Sequence, residues 1–149
     1  MIDRAHVPSV ITTAGAAIAL VGTFLPWLRS GSVDRSSYDI FDLVERLGFS
    51  PNGVVAWTLR LWPLVPLLLV LGAIALWLRP SVAWLRRSLA VIPVLGAVIV
   101  GGIALAVALA PDIGLFRIGF GPWCCLGGSV VMLVGVVLSA TDPGRPARL

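Results

Sequence analysis

Four apolar runs without a single charged residue or histidine, at 9–28, 61–78, 88–110 and 123–140, constrain this 149-residue chain more than anything else in it. Each is close to the roughly 20 helical residues that cross the hydrocarbon of a bilayer. In that medium only helices and closed barrels satisfy every backbone hydrogen bond. A content of 58% hydrophobic and only 12% charged residues, with a mean hydropathy of +1.01, lies outside the range of water-soluble domains. The expected fold is therefore all-α: an integral membrane four-helix bundle, one domain over 1–149. Prolines punctuate the pattern. Pro8 and Pro122 stand before the first and fourth runs, and Pro80, Pro111 and Pro143 after the second, third and fourth, where a missing amide donor does least damage.

With four spans both termini share one side, and arginine chooses which. The termini and the 79–87 loop hold Arg4, Arg79, Arg86, Arg87, Arg145 and Arg148, whereas the longer segments 29–60 and 111–122 hold Arg29, Arg35, Arg46, Arg60 and Arg117. The density is about twofold higher on the first side, which places both termini in the cytoplasm of a plasma-membrane protein. Arg4 precedes the first run without a small-x-small cleavage site after it, so that run is expected to be retained. The net charge of +4 consists of arginines flanking apolar runs, which marks topology and argues against nucleic acid. Trp27, Trp57, Trp62, Trp77, Trp84 and Trp123 fall near the run ends, as an interfacial aromatic belt would.

The segment 29–60 is the one long polar stretch and forms the first extracytoplasmic loop in this topology. Within it, 37–48 has the pattern of a short amphipathic helix: Ser36 or Ser37 can cap it, Asp39 lies in the first turn, and Gly48 can end it. Ile40, Val44 and Leu47 recur at helical spacing beside Phe41, with the acids toward other faces. Such a helix covers the bilayer interface, the tops of its own spans, or a partner. Tyr38, Asp39, Ile40, Phe41, Val44 and Leu47 are the candidate contacts. Asp39 and Asp42 share a face, but their pattern is also that of a solvated helix, and the one histidine, His6, lies at the opposite end.

Small residues at spacings of four or seven, Gly15 and Gly22, Ala97 and Gly101, Gly128 and Gly135, align on one side of their helices and permit close approach, either within the bundle or between subunits. Cys124 and Cys125 are adjacent, unlike the spaced thiols of redox motifs, and read as packing residues or an acylation site. The runs lack the ionisable group that proton- or ion-coupled carriers use. No nucleotide-binding, metalloprotease or nucleophile-elbow motif is present, so no cofactor, metal or catalytic residue is assigned.

The strings Phe24-Leu-Pro-Trp-Leu-Arg-Ser-Gly31, Ser36-Ser-Tyr-Asp-Ile-Phe-Asp-Leu43, Trp62-Pro-Leu-Val-Pro66 and Gly121-Pro-Trp-Cys-Cys-Leu-Gly-Gly128 resemble small four-span membrane proteins of high-GC Gram-positive, actinobacterial type. The absence of Lys, with abundant Ala, Gly, Val and Arg, fits such a genome. The resemblance implies topology and carries no activity. The functional expectation is a non-enzymatic accessory or scaffold protein, associating through the 29–60 loop with a larger membrane or cell-envelope complex. A homo-oligomeric channel, or a carrier for an apolar or lipid substrate, is the alternative. A membrane enzyme using Asp39, Asp42 or the cysteines comes third.

Overall fold

A computed structural model describes residues 6–46, 60–77, 83–109 and 116–141. The first apolar run becomes α1, Val7–Phe24, with Pro8 in its first turn. It ends earlier than the expected 28, because Pro26 disfavours the helical conformation of the residue before it and Leu25 is extended at ψ 161°. The chain then continues as strand β1, Pro26–Ser30, turns through Gly31 and Ser32, and returns as β2, Val33–Ser36. Gly31 sits at φ 62°, the left-handed region that a two-residue hairpin loop demands. Helix α2, Ser37–Arg46, follows directly.

The second run forms a 3-10 turn, Trp62–Leu64, leading into α3, Val65–Trp77. Pro63 and Pro66 lie at these two starts, where their missing amides break no internal bond. The third run is α4, Ala83–Ala108, with Pro93 inside it, and the fourth is α5, Gly121–Thr141. Between them β3, Phe116–Ile118, pairs with β1.

Among the described residues, three helices, Val7–Phe24, Ser88–Ala108 within α4, and Gly121–Thr141, are long and apolar enough to cross a membrane. That composition is compatible with a membrane protein. The 13 described residues of α3 extend about 20 Å at 1.5 Å per residue, against a hydrocarbon core of about 30 Å. The all-α expectation is corrected by a three-stranded antiparallel sheet, ordered β2-β1-β3. Its strands are three to five residues long, too short to register as a period in the sequence.

The four long helices close a ring in which α1 packs on α5, α5 on α4, α4 on α3 and α3 on α1. The α1–α5 seam is the most extensive and depends on small residues. A Cβ added at Gly15 would overlap the backbone of Met132 and Gly128, one at Gly128 would lie 2.7 Å from the Gly15 carbonyl oxygen, and one at Gly22 would lie 2.7 Å from the Cys125 nitrogen. Gly135 meets Thr12 in the same way. Positions rising along α1 thus face positions falling along α5, an antiparallel seam with the backbones nearly touching. Gly101 on α4 faces Ser129 of α5, and Ala97 is buried one turn away. Met132, Leu69, Val100 and Ala104, all fully buried, fill the centre. The hydroxyls of Thr12 and Thr13 return to the Pro8 and Ser9 carbonyls, keeping these polar atoms satisfied inside an apolar helix.

Candidate functional site

One end of the bundle carries a cap built from the sheet and α2, and two tryptophans attach it. Trp27, 2% exposed, donates its indole N–H to the Gly22 carbonyl at 2.9 Å. The pairing of β1 with β2 is irregular between Pro26 and Leu28, which lets Trp27 turn into the core. Trp62, 1% exposed, meets it edge to face with ring centroids 5.4 Å apart. Its N–H donates to Ser37 Oγ at 3.0 Å, and Ser37 Oγ donates in turn to the Thr23 carbonyl at 2.7 Å. One buried hydroxyl therefore ties together the end of α1, the start of α2 and the 3-10 turn. A side chain at position 121 would collide with the Trp27 indole, so Gly121 is what lets α5 begin beneath it.

These two tryptophans are core residues, which corrects their assignment to an interfacial belt. Position relative to an apolar run does not distinguish a ring lying in headgroups from one folded under a sheet. Trp77 and Trp123 are about half exposed. Trp77 also donates to Thr13 Oγ1 at 2.9 Å and stacks on His6. Trp57 lies outside the described residues.

Helix α2 begins with a reciprocal cap. The Ser36 amide donates to Asp39 Oδ2 at 2.9 Å, the Ser36 hydroxyl donates to the same oxygen at 2.7 Å, and the Asp39 amide approaches Ser36 Oγ at 3.4 Å. These bonds favour the ionised form and hold the Asp39 carboxyl below its ordinary range. Of the candidate contact residues, Tyr38 and Ile40 pack against the buried core, with the Tyr38 ring tilted over Phe24. Asp39 is exposed, Phe41 and Val44 belong to α2, and Leu47 lies outside the described residues. Helix α2 meets its own bundle through Tyr38 and Ile40. Among its described side chains the exposed ones are Asp39, Asp42 and Arg46. A shallow depression of about 380 Å³ there is lined by Asp34, Arg35, Asp39, Asp42 and Arg46, with Val33 and Leu43 as its apolar members. Asp42 pairs with Arg46 at 2.9 Å, one turn on. The two carboxylates weighed for catalysis therefore have structural partners, one in a cap and one in an ion pair.

Across the sheet the register sets Asp34, Arg29 and Arg117 in one row, from β2 through β1 to β3. Arg29 and Asp34 form a two-pronged ion pair, with Nη2 to Oδ2 at 2.9 Å. That pairing lowers the Asp34 pKa and raises that of Arg29. Arg117 stands opposite Arg29, and like charges directly opposed in a sheet are destabilising. Sequence reasoning missed this row because Arg29 and Arg117 are 88 positions apart. The Gly31–Ser32 pair was the one local signal, since a glycine-led two-residue loop marks a hairpin.

The cysteines divide by position. Cys125 is fully buried on the α1–α5 seam, its thiol directed at the Ala19 carbonyl at 3.4 Å, whereas Cys124 is half-buried, and both are free thiols. A second hollow, an apolar groove of about 360 Å³, runs between α1 and α3 and is lined by Thr13, Ala16, Leu20, Leu69, Ala73 and Trp77, among others. Among the described residues no three His, Cys, Asp or Glu side chains gather as metal ligands would. No family model, characterised protein or solved structure matches this chain.

Proposed function

We propose that the chain is a non-enzymatic accessory protein of the plasma membrane. It spans the bilayer four times, with α3 and its preceding turn as the second crossing and both termini in the cytoplasm. It holds a rigid extracytoplasmic cap against a larger membrane or cell-envelope complex. The observation that carries this reading is the Ser37 bridge to Thr23 and Trp62. It anchors α2 by its inner side, so the charged outer side, with Asp42 and Arg46, is presented in a fixed orientation. A preorganised polar surface favours a specific partner because little ordering entropy remains to be lost on docking. The close-backbone seam between α1 and α5 supports a scaffold in the same way, since it leaves no conduit along that interface.

Photocrosslinking in native membranes from a probe at Asp42, with a control probe at the exposed Val137 on α5, tests the proposal. The expected result is one large partner captured stoichiometrically at position 42, and its loss when Asp42→Lys and Arg46→Glu invert the surface. Recovery of this polypeptide alone, in a defined oligomer, would refute the accessory reading. It would favour the alternative, a homo-oligomeric channel or a carrier for an apolar or lipid substrate. The feature supporting that second reading is the groove between α1 and α3, whose lining is almost wholly apolar. Flux through proteoliposomes is its direct assay.

A further inference from the structure

Between the sheet and the first turn of α5 lies a pocket of about 250 Å³ that the accessory reading leaves unused. We propose that it binds the phosphate of an anionic phospholipid headgroup, an inference that rests on the bundle lying in a bilayer. Arg29 and Arg117 line one wall, brought face to face by the β1–β3 register, and Phe120 and Trp123 line another. Both guanidiniums line it, and among the described residues Asp34 is the one carboxylate beside them. Arg117 makes no ion pair among the described residues, and Arg29 commits only Nε and Nη2 to Asp34. The remaining donors carry positive charge and the planar geometry that matches phosphate oxygens. An anion shared between the two arginines would relieve their mutual repulsion, which nothing in the sheet itself does for Arg117.

Depth selects the lipid as the source of the phosphate. Phe120 is 80% exposed and Trp123 is 54% exposed at the start of an apolar helix, the position where aromatic rings settle at headgroup level. A pocket bordered by those rings opens at the height of the lipid phosphates, with the outward aliphatic surface of α5 below it for the acyl chains.

The test uses the full-length protein in detergent, delipidated and then exposed to phosphatidylglycerol, to phosphatidylcholine, or to inorganic phosphate. Bound lipid is counted by native mass spectrometry. Wild-type protein should retain phosphatidylglycerol at least about fivefold more than phosphatidylcholine. Two variants should then move in opposite directions. Arg117→Gln should lower retention several-fold, and Asp34→Asn, which frees the Arg29 fork, should raise it. A merely structural role would make both substitutions weaken binding or leave it unchanged. Equal retention of the two lipids, or two variants that shift together, would overturn the site. Competition by inorganic phosphate at the affinity of the lipid would overturn the headgroup as its ligand. Failure of the membrane reading would be seen separately, as a chain that does not sediment with membranes after carbonate extraction.

Discussion

Gly127 and Gly128 are neighbours on α5, yet the structure sets them in opposite circumstances, and alanine at each isolates the energy of the α1–α5 seam. A Cβ at Gly128 would lie 2.7 Å from the Gly15 carbonyl oxygen and 2.8 Å from Ala19 Cα. Favourable separations between such atoms are about 3.5–4.0 Å, so the helices would have to part by roughly 1 Å along their closest contact. Overpacking of this kind costs about 1–3 kcal/mol. At Gly127 the same Cβ would meet nothing within 4 Å. Both substitutions share the gain of about 1 kcal/mol that alanine brings over glycine in a helix. The difference between the variants is therefore the seam alone, about 1–3 kcal/mol, with Gly127→Ala neutral to stabilising and Gly128→Ala destabilised relative to it. Reversible unfolding in mixed micelles, titrated with a denaturing detergent and followed by tryptophan emission, measures it directly. Coincident transitions for the two variants would refute the close contact and with it the antiparallel seam.

Two further outcomes concern the cap. Ser37→Ala removes the donor to the Thr23 carbonyl and the acceptor of the Trp62 indole, and should loosen α2 by about 1–3 kcal/mol. Hydrogen exchange should then quicken across 37–46 while the α5 amides remain protected. The capping carboxylate makes α2 sensitive to acid. Its folded-state pKa is lowered from 3.8, so its contribution is fully present above that value and is lost as the pH falls through the lowered one. Helicity and exchange protection of α2 should decline on acidification below about pH 4, and Asp39→Asn should weaken the cap at neutral pH while flattening the decline. An unchanged acid profile in that variant would assign the sensitivity to another carboxylate, with Asp34 the first to test.

How much could be read in advance follows from the range of each interaction. The helical ends near 8, 108 and 121 were legible because proline acts on its own backbone and on that of its neighbour. The amphipathic helix at 37–46 was legible because a capping serine, an acid three residues on and an apolar spacing are all local. The end of α1 was misplaced by four residues: Pro26, Trp27 and Leu28 are as apolar as a span, and only the extended Leu25 shows that the helix has stopped. The small-residue spacings along α1 and α5 were visible as stripes, but a stripe does not name the surface it meets.

The amino-acid sequence alone determined that this chain would consist of long apolar helices with its polar mass gathered near 29–60, since backbone hydrogen bonding and hydrophobicity act residue by residue. Tertiary structure alone decided that Gly15 meets Gly128, that Trp27 and Trp62 are buried together under a sheet, and that Arg29 stands between Asp34 and Arg117. Each of these joins residues whose sequence neighbours carry no sign of the partner. A strand of three residues or a glycine on a helix face has no preference strong enough to declare itself, and its role is set by whatever the closed ring of helices brings alongside.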